Sequence, residues 1–175
     1  MTETPEHQVG RQTSSDDPPD EAFETRADAH LALRGVVADQ GASMSWFSAD
    51  FRYWPLHDPQ FVRALEIWVL RDARRQSALR ILAVDWRDMR TRFPRFATFR
   101  RDFSHAVECR EIRAALVQDL PEMAWTQSQA VFARTSTWGS GQRISAQKRL
   151  AALHDRFEGV WQQAIPAFPA NTLGL

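Results

Sequence analysis

An α/β fold, with a mainly parallel sheet flanked by helices, is what this sequence predicts, and three observations carry the prediction. Residues 78–85 (ALRILAVD) form a continuous apolar run between polar flanks, the pattern of an interior strand covered on both faces. Asp58 followed by Pro59 is a helix start, and the segment behind it, from Phe61 to Leu70, is apolar nearly all round. Strand-like and helix-like segments then alternate at a spacing that suits crossover connections.

The elements follow in order. Residues 1–22 (MTETPEHQVGRQTSSDDPPDEA) are polar, acidic and proline-bearing, too poor in apolar surface to offset ordering, so a disordered acidic leader is expected. A single α/β domain over 23–165 and a loose tail over 166–175 complete the expected organisation. Thr25 suits an N-cap, and Ala27, Leu31, Leu33, Val36 and Val37 give a helical stripe to about Gln40, where Gly41 stops it. Ser43–Ala49 (SMSWFSA) reads as a short strand that runs into an aromatic loop, FRYWPLHDP, at 51–59. The helix Gln60–Arg75 carries Arg71, Arg74 and Arg75 in its last turn, which suits the negative end of the helix dipole. Residues 86–93 form a connection. Pro94 opens a helix to about His105, with Phe96, Phe99 and Phe103 on one face, and Val107–Ile112 is a further strand. Met123–Trp125 and Ala130–Ala133 read as a hairpin around TQSQ, whereas TSTWGSGQ (135–142) reads as a loop. Ser145 caps a last helix with Leu150, Leu153, Phe157, Val160 and Trp161 at core spacing, closed by Pro166 and Pro169.

The totals narrow the function classes. Formal net charge is zero, so the whole chain gives no argument for nucleic acid or membrane. Charge is nevertheless segregated. Residues 1–30 hold eight acids against two arginines, while 51–113 hold fourteen arginines against eight acids. Whether the acidic leader covers the basic middle is left open. The single cysteine, Cys109, allows no disulfide within the chain and no cysteine-based metal site. No run approaches 18 apolar residues, and no signal-peptide pattern is visible, so a cytoplasmic location is expected.

Several segments together carry a resemblance. SWFSADF (45–51), DPQFVRALEIWVLRDARR (58–75) and ALRILAVDW (78–86) resemble, in that order, the opening of a phospholipase D-like domain. LAALHDRFEGVWQQA (150–164), with Phe157 and Trp161, is similar to that family's final helix. The resemblance covers about 25–164, one half of a two-half enzyme. It extends to an uncharacterised bacterial domain of this type that is sometimes appended to acetyltransferases. It implies phosphodiester cleavage by a His nucleophile, with a second His protonating the leaving group and Lys offsetting phosphate charge. The motif would fall in the hairpin Met123–Ala133, which reads MAWTQSQAVFA and holds no His, Lys or acid. The only lysine, Lys148, has Ala146 two places before it, so no His-x-Lys exists anywhere. No catalytic residue is carried over, and a degenerate active site is expected. Because halves of this fold associate, the resemblance also implies a homodimer.

Other constellations point elsewhere or nowhere. The histidines (His7, His30, His57, His105, His154) show no ligand spacing, and no metal or cofactor is expected. Ser48, Asp50 and His57 lack the spacing of a nucleophile elbow. Gly139 and Gly141 lack the Lys that a phosphate loop needs. Arg87, Arg90, Arg92, Arg95, Arg100 and Arg101, interleaved with Phe93, Phe96 and Phe99, follow the best strand, where ligands of open sheets gather. Arginine forks suit phosphates and rings stack on bases, but the same pattern is equally a solvated helix face over a core. Trp46, Tyr53, Trp54 and His57 either line a pocket or interface or fold back as core. Two function classes result: a non-catalytic module that binds a partner protein or a second copy of itself, and a nucleic-acid or anionic-ligand binder through the arginines of 87–101.

Overall fold

A computed structural model describes residues 20–72 and 78–170. The expected leader, except for its last residues, lies outside them, as do Arg74, Arg75 and residues 171–175. The described elements are β1 (Glu21–Phe23), α1 (Arg26–Ala38), β2 (Met44–Ser48), α2 (Pro59–Leu70), β3 (Leu79–Ala83), α3 (Met89–Arg92), α4 (Pro94–Asp102), β4 (Val107–Glu111), β5 (Met123–Trp125), β6 (Ala130–Ala133), β7 (Gly141–Ile144), α5 (Gln147–Trp161) and β8 (Ile165–Pro166). They build one sheet in the order β1-β7-β6-β5-β2-β3-β4-β8.

Local chemistry explains the helix starts. Thr25 caps α1 by accepting the Asp28 N–H at 3.1 Å. Asp58 caps α2 by accepting the Gln60 N–H at 2.8 Å, and its other oxygen takes the Arg34 guanidinium of α1, which ties the two helices together. The last helix departs from expectation: its N-cap is Ala146, not Ser145, and no side chain caps it.

The sheet is mixed and mostly antiparallel, which corrects the mainly parallel expectation. Only β2–β3 and β3–β4 pair in parallel. These are the pairs whose strands are joined through helices, α2 in the first case and α3 with α4 in the second. The strands β5, β6 and β7 follow one another through connections of four and seven residues, too short for a crossover, so adjacent strands return antiparallel. A sequence pattern of alternating elements fixes the first half of the chain and overlooks this second half.

Three strands arise where loops or ends were expected. Glu21 and Ala22, assigned to the leader, begin β1 and pair with Arg143 and Gln142 of β7. The strand β7 lies partly within the expected loop 135–142. Its Gly141 is required by close approach: an added Cβ would stand 2.2 Å from Phe23 and 2.3 Å from the Phe132 carbonyl oxygen. Residues 166–170, assigned to a loose tail, are packed instead. Pro166 pairs with Arg110 of β4, and Phe168 is buried.

The strands alternate between two cores. Met44, Trp46, Leu79, Ile81, Val107, Cys109, Ala124 and Val131 face α1, α2 and α4, in a core rich in Trp and Phe. Phe47, Leu82, Met123, Trp125 and Ala130 face α5 through Leu150, Phe157 and Trp161. On this second face Arg80 lies over the Phe157 and Trp161 rings and Arg110 over Trp161, at 4.5–5.4 Å from the ring centroids. Among the described residues, no helix is long and apolar enough to cross a membrane.

Candidate functional site

The parallel strands β2, β3 and β4 deliver their carboxyl ends to one edge of the sheet, and the antiparallel β5 starts there. Glu122, the residue before β5, therefore stands beside the end of β2. The Ala49 N–H donates to its Oε1 at 2.7 Å. The indole N–H groups of Trp54 and Trp138 donate to its Oε2 at 3.0 and 3.4 Å. The Ser48 hydroxyl donates as well, while accepting the Phe51 N–H at 2.8 Å. Burial is the largest influence on this carboxyl and raises its pKa above the ordinary 4.5; the four donors pull it down without cancelling the rise.

Rings continue from this carboxylate along the edge. Trp138 meets Trp54 edge-on at 5.3 Å, Trp54 meets Phe51 at 5.0 Å, Phe51 meets Trp86 at 5.7 Å, and Trp86 stacks on Phe168 at 5.2 Å. Three members of this arc, Phe51, Trp138 and Phe168, are the non-glycine residues with positive φ (57°, 59° and 45°) among the described residues. Such a backbone costs on the order of 1–2 kcal/mol per residue, so packing at this edge holds it in place.

The residues singled out from the sequence do not come together at one place. Trp46 and Trp54 are fully buried core, Tyr53 is half-buried under the Arg26 guanidinium, and His57 is exposed. They do not form one pocket, although Trp54 reaches Glu122. Arg87, Arg92 and Arg101 pair with the neighbouring acids Asp85, Asp88 and Asp102. The Arg87 guanidinium holds the Asp85 carboxyl down to about 2. Arg95 lines a groove of about 700 Å³ between α2 and α4, away from the arc. Arg90 reaches the segment 165–169: it donates to the Pro169 carbonyl and lies over the Phe168 ring at 5.0 Å. Arg100 donates to Ser104 O at 3.4 Å and borders Cys109, whose thiol burial pushes up to about 12.

At the opposite edge a second carboxylate holds the hairpin turn. Asp39, which follows α1, accepts the hydroxyls of Thr126 and Ser128, the Gln129 amide at 3.4 Å and the Gly41 N–H at 3.3 Å. Burial works against its ionisation, but the donors from Ser128, Thr126, Gln129 and Gly41 outweigh it and hold the carboxyl below 3.8. Among the described residues no cluster of His, Cys, Asp and Glu is arranged to hold a metal ion.

No family model matches this chain, and no curated protein does. Solved structures do. TrmBL2, an archaeal chromatin protein described as showing a novel mode of DNA binding, superposes over 90% of this chain with a TM-score of 0.61 at 11% identity. This chain spans 57% of that protein. Nuc from Salmonella typhimurium, a phospholipase D family member, superposes over 85% of this chain and 99% of its own, with a TM-score of 0.56 at 8% identity. The fold is phospholipase D-like. NucT from Helicobacter pylori gives the same coverage with a TM-score of 0.59 at 7% identity.

The phospholipase D-like scaffold makes the position of Glu122 informative. It is one residue before the hairpin segment in which the resemblance seats the attacking group, so a search confined to Met123–Ala133 misses it. Its partners come from three separate segments, and Trp138 belongs to the stretch expected to be a loop. An acid directly between Pro121 and an apolar strand was the one signal available in the sequence.

Proposed function

We propose that this chain is a non-catalytic binding or interaction module on a phospholipase D-like scaffold, with a degenerate active site, working in the cytoplasm. The observation that carries the reading is Glu122. One residue before the segment in which the resemblance seats a nucleophile, this carboxylate has both oxygens taken up by donors from Ser48, Ala49, Trp54 and Trp138. A carboxylate saturated in this way serves as a structural pin, and its negative form repels the phosphate that a nucleophile must approach. The lone cysteine is buried and protonated, which fits a reducing compartment. The bound partner in this reading is a protein, a second copy of this chain included.

The test is direct. Purified protein incubated with bis(4-nitrophenyl) phosphate and with single- and double-stranded DNA is expected to release no product above buffer. Hydrolysis at an enzymatic rate, abolished in Glu122→Gln, would overturn the reading.

A second reading, binding of nucleic acid or another anion through the arginines of 87–101, has its own support. Residues 85–102 hold six arginines against three acids, Asp85, Asp88 and Asp102. TrmBL2, of similar fold, is described as binding DNA. This reading predicts affinity for DNA that falls steeply between about 50 and 200 mM salt, since phosphate contacts release counterions. Binding that ignores salt would remove it.

A further inference from the structure

The segment 165–169 lies as a strap across the end of the aromatic arc, and its contacts are few. Two residues pair with β4, the Ala167 N–H donates to Cys109 O at 2.9 Å, and Arg90 holds the Pro169 carbonyl. Its one large buried side chain is Phe168, placed there by a left-handed backbone with φ 45°. Its plane is nearly parallel to those of two neighbouring rings: Trp86 at 5.2 Å and 10°, and Phe96 at 6.4 Å and 7°. The Arg90 guanidinium covers it at 5.0 Å. Beneath the strap, Arg100, Ser104, Cys109, Pro166 and Pro169 border a cavity of about 390 Å³, and Arg100 Nε is buried there without a hydrogen-bond partner.

A planar ring beside near-parallel aromatic rings, with a guanidinium over its face, has the surroundings that proteins give to a stacked base beside its phosphate. We propose that Phe168 is an internal plug, and that lifting the strap opens a slot lined by Trp86, Phe96 and Arg90 for the base of a single-stranded nucleic acid. Arg90, released from the Pro169 carbonyl, then faces the phosphates, with Arg100 at the border of the cavity beneath the strap. The proposal rests on the second reading above and sharpens it: one of the six arginines, Arg90, is held by the chain itself. Arg87, Arg92 and Arg101 already have carboxylate partners and contribute less. The strained backbone at Phe168 lowers the cost of lifting the strap, because release lets φ return to an ordinary value.

The experiment compares the full chain with Phe168→Gly, which removes the ring and relieves the backbone, and with a chain ending at residue 164. The probe is a fluorescein-labelled ten-residue oligothymidylate at about 100 mM salt, with an abasic oligonucleotide of the same length as control. The variants are expected to bind the oligothymidylate at least about tenfold more tightly than the full chain, to show a tryptophan quench on binding that disappears in Trp86→Phe, and to lose the gain in Arg90→Gln. An unchanged affinity would overturn the plug. Equal gains for the abasic strand would overturn the slot and leave a charge effect alone. If both variants fail to fold, hydrogen exchange of the Ala167 amide in the full chain decides: saturating oligothymidylate should accelerate it, and unchanged exchange rejects the proposal. Salt-dependent DNA binding that no variant alters would refute the plug and keep the second reading; the loss of all DNA binding would refute both.

Discussion

The two ends of the β5–β6 hairpin are each held by one carboxylate, and the two behave in opposite ways. At the turn, Asp39 gathers the Thr126 and Ser128 hydroxyls, the Gln129 amide and the Gly41 N–H, and its carboxyl is held below the ordinary value. At the mouth, Glu122 gathers as many donors, from Ser48, Ala49, Trp54 and Trp138, and its carboxyl is raised. Donor number therefore does not set the outcome. Glu122 sits deeper, among Trp and Phe rings, and burial costs a charged group more than its hydrogen bonds return. The partners differ in kind as well. Hydroxyls rotate and can accept as well as donate, whereas an indole or a backbone N–H only donates.

The largest effect should come from truncating the deeper group. Glu122→Ala leaves the Ala49 N–H and two indole N–H groups without an acceptor and should cost about 3–5 kcal/mol in urea unfolding, at about 1–3 kcal/mol per buried donor left unpaired. Asp39→Ala should cost less, about 1–3 kcal/mol, because water reaches the turn.

Isosteric amides separate the two more sharply. Glu122→Gln must turn its amide N–H toward fixed donors and should cost about 1–3 kcal/mol, whereas Asp39→Asn is absorbed by rotating hydroxyls and should cost about 1 kcal/mol or less. Equal costs for the two amides would break the distinction between rotating and fixed donors.

These predictions turn on residues of unequal visibility in the sequence. The caps Thr25 and Asp58, the strand 79–83 and both hairpin strands were legible because each is set by neighbours in the chain. The strands β1, β7 and β8 were not. Gly141 carries a loop signal, yet it is a glycine because Phe23 presses on it from more than a hundred residues away. Strand direction was misjudged for a related reason: the alternation of elements describes α2 to β4 and says nothing of where β5 inserts, beside β2 at the sheet centre. At the site, Trp54 was singled out but its partner Glu122 was not, since only folding brings residues 49, 54, 122 and 138 together. Arg90 and Arg100 stand out in the sequence as ligand contacts, but a proline-bearing tail gives no sign of the strap that holds Arg90.

Acid should distinguish the two carboxylates by sign. Asp39 is lowered, so its contribution to stability is complete above 3.8 and is lost as pH falls through the lower folded value. Glu122 is raised, so its contribution is complete below 4.5 and is lost as pH rises through the higher folded value. Urea unfolding from pH 3 to 7 should show the gap between wild type and Glu122→Gln moving against Glu122 as pH climbs, and the gap for Asp39→Asn moving the other way. The smallest effect expected is from Ser128→Ala, about 0.5–1 kcal/mol for one exposed hydroxyl donor, with the Asp39 carboxyl moving upward.

The most direct test is a titration of both side chains in one sample, followed by carboxyl-carbon NMR. Burial of a pinned Glu122 predicts that it takes up its proton above 4.5 while Asp39 is still ionised, with Asp39 following below 3.8. A Glu122 that titrates at or below 4.5 would mean that its donors prevail over burial, and the carboxylate at the mouth of the scaffold would then be a solvated, chemically available group rather than a structural pin.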